Sequence, residues 1–177
     1  MRVGVAHHFG WAVAVTASAD QRIVDRRRIA LVEPGVAVAP FHSDGKALDD
    51  AAASALVAQV RASAIRATGE ALDALAADVG EPILSLSLRA WSPDFPTDIA
   101  VLRRVPYEAR ADSVMYRQVL AESAEARGWA VHLFDAKDVE AQATRLLGAP
   151  LPRPPGPPWT KDHRIALAAT VLAAAPR

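Results

Sequence analysis

Short apolar runs broken by turn-forming residues dominate the start of the chain. Arg2 to Ala6 carries small apolar residues at both parities, the pattern of a central strand covered on both faces. HHFG then predicts a turn, Trp11 to Ala17 a second strand, and SADQ a second turn. From Arg22 to Val32, Ile23, Ile29 and Leu31 share one parity while Arg22, Arg26 and Arg28 share the other. A charged face protects an edge strand from pairing with another chain. Residues 1–32 therefore read as a three-stranded meander.

The period then changes. Residues 33–46 contain Pro34, Gly35, Pro40 and Gly45 and predict a loop. Asp49 or Asp50 is placed to cap a helix running to about Val79, because Leu56, Val60, Ala64, Ala71, Leu75 and Val79 recur near helical spacing. Gly69 is expected to bend or split that helix. After Pro82, ILSLSL predicts a strand with Leu84, Leu86 and Leu88 on one face and Ser85 and Ser87 on the other. Residues 90–105 read as a loop with extended structure near Ile99 to Leu102. Pro106 suits the first turn of a helix that ends at Arg127–Gly128. Trp129 to Phe134 reads as a fifth strand and Asp138 to Leu147 as a short helix. Six prolines between residues 150 and 158 predict a stiff strap. Thr160 or Asp162 then caps a final helix. No internal repeat is present.

Three antiparallel strands followed by alternating helices and strands resemble the ribonuclease H-like superfamily, and within it the Holliday-junction resolvase branch. The resemblance implies an α/β fold with a five-stranded mixed sheet in the order 3-2-1-4-5, the second strand antiparallel to the rest, and helices on both faces. The expectation is one domain over residues 1–177, with the proline strap before its last helix. Members of the superfamily hold two divalent metals with acids from the first strand, the fourth strand and the last helix, and these metals activate water and stabilise the leaving oxygen. In resolvases the first strand looks like GIDPGS. Here Gly4 to Gly10 reads GVAHHFG, with Ala6 at the acidic position. The fourth strand ends in Arg89. A last helix like ADAADALA corresponds to KDHRIALA, Lys161 to Ala168, where Asp162 matches the first acid and Ile165 replaces the second. One acid of four remains.

If that fold holds, His7, His8, Arg89, Trp91, Asp162 and His163 gather at the carboxyl ends of the strands, where open sheets bind ligands. Asp162, His163, His7 and His8 are the candidate catalytic residues, and His7, His8 and Asp162 the candidate metal ligands. Manganese or magnesium is the implied ion if the chain is catalytic, although imidazole suits manganese or zinc better than magnesium. Arg89, Trp91, Lys161, Arg103 and Arg104 are candidates for contacting substrate. The structural alternatives stand beside these. HHFG is equally a polar turn, Asp162 a helix-cap acid, His163 a partly buried helix residue and Trp159 an apolar anchor. Adjacent strand residues point oppositely, so His7 and His8 can share a metal only on a turn. VPYEARADSVMYR, Val105 to Arg117, reads either as a phosphate- or partner-binding surface or as a solvated helix with internal salt bridges. Asp112 and Tyr116 share one of its faces. DRRR, Asp25 to Arg28, alternates across a strand, which splits any basic patch.

Composition narrows the classes. The 177 residues are 51% hydrophobic and 23% charged, as in an ordinary globular protein, and the formal net charge of zero provides no global field for nucleic acid. Any such binding must be local. Without cysteine there are no disulfides, thiolate zinc sites or thiol nucleophiles. No signal-peptide pattern or transmembrane-length run occurs, so a cytoplasmic product with no membrane partner is expected. The abundant alanine is of the kind that GC-rich bacterial genomes produce. Phosphate-loop, dinucleotide-binding, GxSxG and HExxH signatures are absent. Two functions follow. One is a nucleic-acid-associated domain, either catalytically degenerate or a phosphodiester hydrolase with an altered His/Asp metal site. The alternative is a non-catalytic scaffold or interaction domain, homo-oligomeric through an Ala-rich helix face.

Overall fold

Five strands form one mixed sheet in the order β3-β2-β1-β4-β5 in the computed structural model, which describes residues 1–174. They are β1 (Arg2–His7), β2 (Trp11–Ala17), β3 (Ile23–Ala30), β4 (Ser85–Arg89) and β5 (Ala130–Phe134). β2 is antiparallel to β1 and β3, whereas β4 is parallel to β1 and β5 to β4. Both the order and the reversal of β2 are those the resemblance implies. Residues 175–177 of the expected domain lie outside the described residues.

The described residues form five helices: α1 (Asp50–Val79), α2 (Ile99–Leu102), α3 (Glu108–Glu125), α4 (Val139–Leu147) and α5 (Lys161–Leu172). On one face Val3, Val5, Leu86 and Leu88 pack with α1 through Val60 and Leu72, and with α3 through Val119 and Leu120. Each fully buried leucine here contributes about 1.5–3 kcal/mol of transfer free energy. On the other face Val13, Val15 and Ala17 of β2 pack against Ala166 and Leu167 of α5. Gly4 sets how close α5 comes. A Cβ on Gly4 would stand 1.8 Å from the Ala166 carbonyl oxygen, so only glycine admits the helix backbone. Gly4 lies beside Ser87 across the β1–β4 register, another small residue.

Three local expectations are corrected. α1 runs unbroken through Gly69. The roughly 1 kcal/mol cost of a helical glycine is outweighed by the burial of Leu72 and Leu75 just beyond it. Arg127 also bonds the Gly69 carbonyl oxygen at 2.8 Å. Residues 99–102 form a helical turn rather than an extended segment. The Asp98 side chain accepts the Val101 N–H at 3.0 Å, and Leu102 is driven into the core. Pro106 does not open α3, because the Tyr107 N–H closes a turn on the Arg104 carbonyl at 2.8 Å and regular helix begins at Glu108.

The proline strap crosses the edge strand. Arg26 of β3 donates to the carbonyls of Pro155 at 2.9 Å and Gly156 at 3.2 Å, while Trp159 packs against the β2 face of the sheet. Arg27, of opposite parity, instead pairs with Asp25 and Asp78. The strap thus delivers α5 to the sheet with Thr160 at its N-cap.

Candidate functional site

The carboxyl ends of β1 and β4 meet the first turn of α5, and strand alternation decides what gathers there. His7 continues the Val3–Val5 parity toward α3, where its Nε2 lies 2.7 Å from Ser113 Oγ. Burial, helped by the charges of Arg117, His8 and Arg89, pulls this imidazole down to about 3. It is neutral at pH 7 and a weak base. His8 starts the turn on the opposite side. Its Nε2 lies 3.1 Å from Asp162 Oδ2 on α5. The His8 ring stacks on Trp11 at 4.1 Å between centroids, and the Arg28 guanidinium sits 4.0 Å from the Trp11 ring centre. Trp11 and Arg28 therefore support the imidazole, and Arg28 has a local role that its place on a charged edge did not reveal.

His163 does not join the pair. It is 4% exposed, and its Nδ1 accepts the Thr160 N–H at 3.2 Å, with Thr160 Oγ1 at 2.8 Å. Burial and nearby Arg26 lower its pKa, against the opposing effect of Asp162. This histidine closes the helix end, and Asp162 is free of the capping duty that Thr160 performs.

Ala6, Arg89, Asp162 and Ile165 all line one cleft of about 220 Å³, together with His7, His8 and Lys161. These four are the positions onto which the resemblance lays the metal-binding acids. They present a methyl, a guanidinium, one carboxylate and a branched alkyl. That donor set does not fit manganese or magnesium, which need several hard oxygen ligands. His7, His8 and Asp162 all border this cleft, but the imidazoles take different partners, His7 bonding Ser113 Oγ on α3 and His8 bonding Asp162 on α5. Among the described residues no three His, Cys, Asp or Glu side chains come together to hold a metal ion.

The remaining candidates are dispersed. Trp91 follows β4 on the α3 side, with the Arg117 guanidinium 5.8 Å from its ring centre. Arg103 pairs with Asp50 and donates to the carbonyls of Gly45 and Leu48, so it clamps the loop before α1. Arg104 is exposed beside it, lining a separate cleft of about 670 Å³. Internal salt bridges do not account for the start of α3. Asp112 accepts the N–H groups of Phe41 and His42, each at 3.0 Å, and the Tyr116 hydroxyl donates to Val38 O at 2.9 Å. The face these two residues share pins the long loop. Arg110 and Arg117 have no acidic partner among the described residues. Sequence reasoning had no signal for Ser113 as the partner of His7.

No family model matches the chain, and no curated protein does. Solved structures do resemble it. The Thermus thermophilus RuvC in complex with Holliday junction substrate superposes with a TM-score of 0.50 at 9% identity, covering 96% of this chain and 89% of that one. A second Thermus thermophilus RuvC structure gives 0.48 at 8% identity, covering 96% and 90%. With the sheet order and strand directions above, the chain has the ribonuclease H-like fold of the resolvases. No helix among the described residues is long and apolar enough to cross a membrane.

Proposed function

We propose that this chain is a nucleic-acid-binding ribonuclease H-like domain in which metal-dependent hydrolysis has given way to backbone binding. The observation that carries the reading is the residue content of the small cleft. Ala6, Arg89 and Ile165 replace three of the four acids, and Arg89 and Lys161 flank the one that stays. Two metal ions offset repulsion between carboxylates and a phosphodiester. With most carboxylates gone and cations in their place, the same edge attracts phosphate directly. Asp162, bonded to His8, orients the imidazole over Trp11 and does not act as an ion ligand. Since the chain has no net charge, binding would be local and strongly dependent on salt.

The test is a fluorescence anisotropy titration of labelled single-stranded, duplex and four-way-junction DNA and of RNA, from low to physiological salt. A junction is included because the Thermus thermophilus RuvC of like fold was solved in complex with a Holliday junction substrate. The expected result is saturable binding to at least one of these probes that weakens as salt rises, and weakens further in Lys161→Gln. Absence of binding to every probe at low salt overturns the reading.

A further inference from the structure

A second cleft opens on the α3 side of the sheet, away from Asp162. It has a volume of about 450 Å³ and holds three arginines, Arg89 from the end of β4 and Arg110 and Arg117 from α3. Arg117 is 6% exposed, which is rare for a cation without a carboxylate partner. Its Nε donates to Ser113 O at 3.0 Å, and its Nη1 donates to Ala90 O at 2.6 Å and Arg89 O at 3.2 Å. These bonds fix the guanidinium plane rigidly. Nη2 is left without an acceptor among the described residues. Arg89 and Arg110 make no ion pair there either. Arg110 lies 5.7 Å from the Phe95 ring centre and Arg117 5.8 Å from that of Trp91, so aromatic rings form one wall.

The balance of charge is uncompensated. Asp135 is the one acid in the lining, against three guanidinium groups. Burial, with Arg89 and Arg110 adding to it, pulls Arg117 down to about 10, which leaves it charged at neutral pH. Mutual repulsion of three cations is costly unless an anion is present. A rigid fork of N–H donors with two further guanidiniums above it suits a tetrahedral oxyanion better than a carboxylate, because three cations match a dianion with three free oxygens. The volume exceeds what a phosphate alone would fill, and the aromatic wall offers a flat apolar surface to whatever carries it.

We infer that the cleft formed by Arg89, Arg110 and Arg117 is a binding site for a phosphate monoester. The ester is carried by a free nucleotide or by the phosphorylated end of a nucleic-acid strand, the two sources of the same dianion. This inference goes beyond the backbone binding proposed above and stands without it. Arg89 lines both clefts, so a strand held along the sheet edge passes the mouth of the pocket.

Isothermal titration of the full chain with inorganic phosphate, a nucleoside 5′-monophosphate and the corresponding nucleoside tests it. A matched pair of single-stranded oligonucleotides, 5′-phosphorylated and 5′-hydroxyl, completes the set. Saturable binding of the monophosphate but not the nucleoside is expected, weakened at least about tenfold in Arg110→Gln, since a charge-assisted bond is worth about that factor. The Arg110 side chain is exposed and makes no hydrogen bond or ion pair within the described residues, so its loss does not threaten folding; the double variant Arg89→Gln/Arg110→Gln should reduce binding further. A 5′-phosphorylated strand bound more tightly than the mononucleotide assigns the strand end as the source, and the reverse order assigns the free nucleotide. Either order supports the site. No saturable binding of any monophosphate, or unchanged affinity in both variants, overturns it. Equal binding of the two oligonucleotides with no binding of the mononucleotide also overturns the pocket and leaves backbone binding intact. Mononucleotide binding with no oligonucleotide binding upholds the pocket and assigns the free nucleotide as its source.

Discussion

Replacing Gly4 by alanine should destabilise this protein more than a methyl-sized change ordinarily does. The new Cβ would lie 1.8 Å from the Ala166 carbonyl oxygen, and real Cβ contacts are essentially never under 3.0 Å. Since the obstacle is backbone, no rotamer change relieves it. α5 must retreat by roughly 1 Å or more. A gap of about 0.5–1 Å forfeits a quarter to a half of each dispersion contact, and Ala166, Leu167, Ala168 and Ala169 on that helix are all at most 1% exposed. Overpacking costs typically 1–3 kcal/mol and sometimes more, and we expect about 3 kcal/mol here. For a domain of this size that lowers Tm by roughly 6–12 °C. Urea denaturation at constant slope reads the change directly. Gly69→Ala provides the control. Its Cβ meets nothing nearer than the Arg127 guanidinium at 3.6 Å, so helix propensity should stabilise that variant by up to about 1 kcal/mol. A Gly4→Ala loss below about 1 kcal/mol would refute the claim that α5 rests on a bare strand backbone.

Three further outcomes follow from other residues. Burial raises the Asp112 carboxyl from its ordinary 3.8 to about 6, against the bonds from Phe41 and His42 that favour the charged form. The folded state then holds this proton more tightly than the unfolded chain, so the contribution is complete below about pH 4 and is lost as pH rises through 6. The loss is of order 3 kcal/mol at most, read as a falling Cm between these values, and Asp112→Asn should flatten that slope. Tyr116→Phe removes the hydroxyl bond to Val38 O and should cost about 1 kcal/mol, again by urea unfolding. Trp11→Ala takes away the ring beneath His8; His8 side-chain resonances should shift while β-sheet amide exchange stays protected, and an unmoved His8 would show that the stack does not hold it.

Much of this architecture was legible from patterning. β1 and β2 followed from short apolar runs between turn residues and β3 from alternation, and the charged parity of β3 correctly placed it at the sheet edge. The order of the sheet came from the resemblance. What failed were places where tertiary packing overrode local preference. Gly69 stayed helical because α1 buries residues on both sides of it, Ala67 and Thr68 before and Leu72 and Leu75 after. Residues 99–102 became helical because Asp98 supplies a cap and Leu102 an anchor. The candidate site was partly legible. The pairing of His8 with Asp162 lay within the set of residues named in advance, but nothing in HHFG could say which histidine would turn toward α5. That depends on the parity at which β1 ends. Arg117 was hidden for a different reason. An arginine in a helix ordinarily reads as solvated, and its burial comes from carbonyls at Arg89 and Ala90, more than twenty residues away.

Asp162 separates a metal-dependent nuclease from a phosphate-binding cleft. In a metal-dependent nuclease its carboxylate would be required for cleavage. In a backbone-binding cleft it is a like charge opposing phosphate, hydrogen-bonded to His8 at 3.1 Å. The direct measurement compares the wild type with Asp162→Asn on the tightest-binding DNA or RNA, scoring affinity by anisotropy and cleavage in manganese on a gel. The account predicts that Asp162→Asn binds about two- to fivefold more tightly and that neither protein cleaves. Manganese-dependent cleavage by the wild type that Asp162→Asn abolishes would contradict it.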